Sequence, residues 1–226
     1  MMKRTLIIAT CMAATATAFE FPQFPFAPAA PKASPQVLLQ ELDSLIQQSP
    51  KNGLNTPGDI SEQILDVCRQ LEKQNPTRAP VKNSKMMSGF WRMEWTNFAP
   101  AAPSSGKLGP FVGDVYQDVD LNDKQKARNI LRVNFPPICG ELVASTNVVD
   151  DSTLAITFQT VGNKIGGMIP LGPKIDFEGR ETRLWEHAYL DDEYRILYAR
   201  RQEEEESRGF LYVMKRADDE RFETGV

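Results

Sequence analysis

The sequence predicts a mainly β protein, an antiparallel barrel or sandwich of about eight strands preceded by two amphipathic helices. Three observations predict it. Apolar residues recur at helical spacing between Gln36 and Leu71, the pattern changes to alternation from Met87 onward, and the chain closes on a β-hairpin rich in Tyr, Ile, Leu, Phe and Val. The 226 residues hold one domain of that size plus appendages, and 41% hydrophobic with 25% charged residues suits a globular domain. A formal net charge of -4 argues against a surface built to neutralise phosphates, so nucleic acid is not an expected partner.

The first 18 residues read as a signal peptide. Met1 to Arg4 is basic, Thr5 to Ala14 is apolar but too short to span a bilayer, and Ala16-Thr17-Ala18 offers a small-residue cleavage site. Residues 19–35 follow as a proline-rich, transit-like segment opening on Phe19. The Ala-Thr-Ala-Phe junction resembles the bipartite presequence of algae with secondary plastids, and plain secretion is the alternative.

Residues 36–76 form the helical region. Leu38, Leu39, Leu42, Leu45 and Ile46 make one apolar stripe, and Ile60, Ile64, Val67, Cys68 and Leu71 make a second after the Lys-Asn-Gly and Pro-Gly breaks. Asp59 reads as an N-cap with Glu62 completing a capping box, and Asn75-Pro76 as the stop. Residues 77–87 then read as an extended linker around Pro80. Of the three cysteines, Cys11 lies in the leader, while Cys68 and Cys139 read as buried thiols, although a disulfide between them is compatible with the sequence. No Cys/His cluster is present, so neither a metal site nor a cofactor is expected.

Residues 88–216 carry the strands. Gly89 to Thr96 alternates so as to place Trp91, Met93 and Trp95 on one face. Further strands read as Asp114–Asp120, Asn129–Phe135, Glu141–Val149, Thr153–Val161 and Thr182–Ala188, followed by the terminal hairpin, whose arms run from Tyr189 and from Gly209 and flank an acidic loop, Gln202 to Ser207. A barrel of about eight strands has an interior wide enough for its own side chains or for one small ligand. Pro100 to Pro110 reads as a flap-length loop, and Gly162 to Pro173 as a flexible apolar loop at the barrel mouth, a lid or lipid-facing element or else a packed Ω-loop. Residues 217–226 form a C-terminal tail.

In order, Leu71-Glu72, Asn75-Pro76-Thr77, Pro80, Gly89-Phe90-Trp91, Trp95-Thr96, Tyr116-Gln117-Asp118-Val119, and Tyr189-Leu190-Asp191-Asp192 with Arg195-Ile196 resemble the plastid lipid-associated proteins, or fibrillins. The resemblance spans about Gln36 to Arg216. It implies a lipocalin-like barrel, a plastid address at plastoglobules or thylakoids on a peripheral membrane or lipid-droplet surface, and partners that are hydrophobic small molecules: prenylquinones, carotenoids or acyl lipids. It also implies barrel closure by Gly89 and Trp91, with Arg195 packing its guanidinium on the indole. After Ile196 the chain departs from the family's usual tight Ser-Arg-Gly turn, extending the strand through Leu197 to Arg201.

Carriage asks less of these residues than catalysis. Only His187 could serve a histidine mechanism, and Asp191-Asp192-Glu193 reads as a solvated turn, so no catalytic residues are assigned. The expected cavity residues are Trp91, Met93, Trp95, Tyr116, Gln117 and Phe158, with Arg92, Tyr116 or Gln117 supplying a polar contact according to register. A structural coat whose barrel is filled by Trp91, Trp95 and Phe158 is the main alternative, and a small-molecule enzyme the weaker one. Oligomeric state is left open.

Overall fold

The computed structural model describes residues 33–204, 206–222 and 224, so the expected signal peptide and the transit-like segment through Lys32 lie outside the described residues. Eight strands form the barrel: β1 (Gly89–Thr96), β2 (Asp114–Asp120), β3 (Lys126–Val133), β4 (Ile138–Val148), β5 (Thr153–Ile165), β6 (Thr182–Leu190), β7 (Tyr194–Arg201) and β8 (Phe210–Arg216). Each pairs antiparallel with the next, and β8 pairs with β1, which closes the meander. Closure leaves no main barrel strand with an open edge.

Two helices, α1 (Pro35–Gln47) and α2 (Gly58–Glu72), pack side by side on the outside of β6, β7, β8 and β1. Their stripes, Leu38, Leu42 and Leu45 with Ile64, Val67 and Leu71, meet Tyr189, Ile196, Leu211 and Val213 from the barrel. Each such side chain contributes about 1.5–3 kcal/mol by leaving water. Asp43 fixes the angle of α1, accepting from Tyr194 Oη at 2.7 Å and Lys215 Nζ at 2.8 Å. Cys68 is a free thiol in this seam, pushed up to about 12 by burial, and Cys139 on β4 is also free.

The structure corrects several local expectations. Pro57, not Asp59, stands at the N-cap of α2, and Asp59 sits in the first turn, where its charge still meets the helix dipole. The linker is not extended: Pro80–Lys82 is a 3-10 turn and Ser84–Met87 one turn of helix, with Asn83 Oδ1 accepting from Met86 N at 3.2 Å. Tyr189 and Leu190 end β6 and do not open the terminal hairpin. Asp191 makes the turn, its Oδ1 accepting from Glu193 N at 2.8 Å and Tyr194 N at 2.6 Å, so the first arm begins at Tyr194. Gly162 to Ile165 belongs to β5, and Ile169–Pro170 folds back on it, so the apolar loop is the tip of a hairpin. The flap segment contains a 3-10 turn, Pro103–Ser105, and a short ladder of Lys107–Leu108 on Phe111–Val112. Asn52 anchors it, donating to Gly113 O at 2.9 Å and Ser105 O at 3.3 Å.

Candidate functional site

Alternation along each strand decides what faces the barrel interior, and three bulges decide where alternation fails. In β1, Trp91 and Met93 point inward, but pairing with β8 skips Glu94. The extra residue turns Trp95 outward into the helix seam, where its Nε1 donates to Thr56 Oγ1 at 3.1 Å. Trp95 is therefore not a cavity residue. Similar irregularities lie where β5 meets β4 and where β6 meets β7.

The second correction is Tyr116. On β2, Val115, Gln117 and Val119 take the inner face, which leaves Tyr116 outside, stacked on Phe90 with centroids 4.9 Å apart and donating to Glu220 Oε2 at 3.1 Å. The C-terminal residues hold this outer patch, with Phe222 edge-on to Phe90 at 5.6 Å. Arg92 also faces outward, paired with Glu94 at 2.9 Å. Of the three polar candidates on β1 and β2, only Gln117 reaches the interior.

One end of the barrel is plugged. The Trp91 indole fills it, donating from Nε1 to Met87 O at 3.1 Å. Two guanidinium groups pack on its ring, Arg195 at 4.9 Å and Arg216 at 4.1 Å from the centroid. Arg216 was not foreseen. It stands directly across from Trp91 on β8 and donates to Asp192 O at 2.8 Å and Ser88 O at 3.2 Å, tying the linker beneath the plug. Gly89 suits its place beside Arg216 because its φ of 153° is a backbone conformation that residues bearing a Cβ rarely adopt.

The motif residues at this end are structural stitches. Asn75 Oδ1 accepts from Thr77 N at 3.1 Å and Leu190 N at 3.1 Å, and Thr77 Oγ1 donates to Leu190 O at 2.8 Å. Tyr189 donates to Asp191 Oδ2 at 2.7 Å on the helix side. Segments more than a hundred residues apart in sequence are thus joined where the linker meets the barrel.

Above the plug the interior opens into a cavity of about 580 Å³. Leu131, Leu142, Phe158 and Val161 wall it, Trp185 and Gln117 border its floor, and Phe98, Leu108 and Phe210 frame its mouth. Phe98 meets Phe210 edge-on at 4.5 Å. Phe158 lies on the wall against Phe177, centroids 5.7 Å apart, with Arg183 5.4 Å above its ring. Gln117, Asn129 and Asn163 are among its polar lining residues, with Ser104, Arg183 and Glu204 lining it too, and Gln117 and Asn129 oppose each other directly across β2 and β3. Asn129, Leu142, Val161 and Trp185 were not among the foreseen residues. Their inward row follows from alternation once Gln117 is known to face in.

Two charged or titratable groups lie beneath the floor. Arg195 is completely buried; one Nη2 hydrogen goes to Gln117 Oε1, and Nε and Nη1 find no hydrogen-bond partner among the described residues. Burial, then the nearby Arg216 charge, pulls its pKa down to about 9, still protonated at neutral pH. His187 is buried beside it with Nδ1 3.0 Å from Ser152 O, and burial, then the Arg195 charge, holds it down to about 3. An imidazole so placed stays neutral at pH 7, and it is not among the residues that line the cavity. Asp191, the first residue of the acidic cluster, spends both its oxygens on the turn and on Tyr189.

The comparisons with known proteins agree with this architecture. The family model PAP_fibrillin matches residues 36–203, from α1 through β7. Over 139 residues the chain is 26% identical to a chromoplast-specific carotenoid-associated protein of Cucumis sativus, covering 55% of this chain and 43% of that one. A probable plastid-lipid-associated protein 3 of Oryza sativa subsp. japonica is 23% identical over 139 residues, 58% of this chain and 37% of the relative. The plastid lipid-associated protein 3 of Brassica campestris is 33% identical over 51 residues, 23% and 14% of the two chains. The chain spans less than half the length of these relatives. No solved structure matches. With both helices and seven of the eight barrel strands under the family model, the chain belongs to the PAP_fibrillin family of plastid lipid-associated proteins.

Proposed function

We propose that this protein is a non-enzymatic carrier of hydrophobic small molecules, a prenylquinone, carotenoid or acyl lipid, working in the plastid at plastoglobules or thylakoids. The apolar cavity above the Trp91 plug carries this reading. Its size falls within the range of roughly 300–1,000 Å³ of small-molecule sites. Enclosing roughly 400 Å² of ligand surface at about 25 cal/mol per Å² supplies on the order of 10 kcal/mol before ordering costs. The relatives named as lipid- or carotenoid-associated and as chloroplastic or chromoplastic support the ligand class and the address.

Mass spectrometry of lipids that copurify with the protein tests it. The native chain is expected to hold about one apolar molecule. Leu142→Trp, which places an indole in the cavity wall, is expected to lower that occupancy at least tenfold without unfolding the barrel. A native protein that is empty yet floats with lipid droplets would favour the structural coat and sink the carrier.

The hairpin tip after β5 supports contact with a lipid surface in either reading. Met168 is 80% and Ile169 64% exposed, with Leu171 and Ile175 exposed beside them, at the end of the barrel where the cavity opens. Replacing both Met168 and Ile169 by Asp is expected to reduce flotation with liposomes by tenfold or more while leaving cavity occupancy unchanged. Undiminished flotation would place the contact elsewhere.

A further inference from the structure

We propose that the Phe135 turn and the hairpin tip after β5 form one docking face for an anionic lipid layer, which seats the cavity mouth on that layer and passes the ligand across without release into water. The proposal rests on the carrier reading and gives that carrier its route of delivery.

The two segments are stitched into one unit. Gly166 N donates to Pro137 O at 2.7 Å, and Ile138 pairs with Ile165 across β4 and β5. Phe135 is 90% exposed, and it joins the exposed Met168, Ile169, Leu171 and Ile175 of the tip on the same rim of the barrel. A protein partner would need a groove to take side chains carried on two protruding tips. A lipid layer takes them without one.

The backbone of the tips already suits an apolar medium. Pro136 and Pro137 have no N–H to satisfy, while Ile138 N, Met168 N and Leu171 N donate to Pro136 O at 2.8 Å, Ile165 O at 3.3 Å and Asn163 O at 2.8 Å. Unpaired peptide groups are what keep most loops out of lipid, and these are paired.

Charge favours the same partner. The chain carries a formal net charge of -4, yet residues 134–140 and 159–175 hold Lys164 and Lys174 and no carboxylate. Lysine ion pairs among the described residues belong to Lys51, Lys82 and Lys215, which leaves the two tip lysines for anionic head groups. Just past the tip, Glu178 is paired with Arg180. The acidic loop Gln202 to Ser207 stands at the same end but between β7 and β8, on the far side of the barrel, so repulsion keeps it off an anionic surface while the tips make contact.

Position gives the face its use. Asn163, whose carbonyl holds Leu171 N, lines the cavity, and so does Gly140 just beyond Ile138. The tips therefore flank the opening itself. A ligand leaving through water would re-expose its whole apolar surface, a penalty that contact with lipid removes.

The test loads the full chain with a fluorescent fatty acid and mixes it with quencher-containing phosphatidylcholine vesicles, with or without phosphatidylglycerol. The transfer rate is expected to rise in proportion to vesicle concentration and to be about tenfold faster with phosphatidylglycerol, the work of two lysines at an anionic surface. Phe135→Asp is expected to slow transfer about tenfold, the worth of one aromatic side chain kept out of lipid, and to leave the affinity for the fatty acid without vesicles unchanged. Lys164→Gln combined with Lys174→Gln is expected to remove the phosphatidylglycerol effect. A rate independent of vesicle concentration, or one that Phe135→Asp leaves unchanged, would overturn the docking face and leave the carrier standing. A protein that takes up no fatty acid would overturn the carrier reading and the delivery route with it.

Discussion

Truncating Trp91 to Ala is expected to cost about 3–5 kcal/mol of folding stability, the largest single-residue loss in the barrel. The indole is fully buried at the closed end, bonded to Met87 O, and covered by the Arg195 and Arg216 guanidinium groups. Removing it opens a cavity and also strips two cations of their π partner, each contact being worth roughly 0.5–2 kcal/mol. Arg195 suffers more than Arg216. Arg216 keeps its backbone carbonyl acceptors, whereas Arg195 is left with Gln117 and the more distant Trp185. Trp91→Phe keeps a six-membered aromatic ring under the guanidinium groups but loses the pyrrole half of the indole and its Nε1 hydrogen bond, so a smaller loss of about 1–2 kcal/mol is expected. Urea unfolding of the three proteins decides the matter: a Trp91→Ala loss below about 1 kcal/mol would mean that Trp91 does not hold the closed end shut.

The mainly β class and both helices were legible because each depends on a long periodic pattern, whereas the choice of a closed barrel over a sandwich rested on the family resemblance. Trp95 was misread for a local reason. Alternation from Trp91 to Trp95 is unbroken in the sequence, and nothing in Arg92-Met93-Glu94 announces that Glu94 is a bulge. Moreover, β6, β7, β8 and β1 are covered by α1 and α2 outside and packed inside, so a large apolar side chain such as Trp95 finds apolar neighbours on either face. Tyr116 and Gln117 posed the same ambiguity. The outer position of Tyr116 depends on Phe90 and on Phe222 from the tail, contacts that no local pattern encodes. Arg216 was the more recoverable omission, since Tyr212, Met214 and Arg216 share one face of β8 and the two apolar members face inward. The family motifs were visible as a series of short segments, but their physical role, the stitch of Asn75 and Thr77 onto Leu190, emerges only in three dimensions.

Between pH 6.5 and 4.5 the protein is expected to lose about 2 kcal/mol of stability through His187, the slope steepening toward about 1.4 kcal/mol per pH unit at the acid end. Ser152 O can only accept, so Nδ1 carries the proton, and Nε2 is buried without a hydrogen-bond partner among the described residues. With its pKa held down to about 3 by burial and by Arg195, the native imidazole stays neutral across this window. In the unfolded chain it titrates at its ordinary value of 6.5. The unfolded state therefore binds a proton that the native state refuses, which makes stability rise with pH there and fall as acid is added. The carboxylates held below their usual range, Asp120, Asp150 and Asp218, begin to add to the loss only near and below 3.8, so the higher window isolates the histidine. His187→Gln keeps a donor for Ser152 O and has no proton to gain, and its stability is expected to be nearly flat from pH 6.5 to 4.5. Denaturation midpoints of the native protein that agree at pH 7 and pH 5 would mean that the folded imidazole accepts its proton after all. In that case the layer formed by His187, Arg195 and Gln117 beneath the cavity floor would have to admit water.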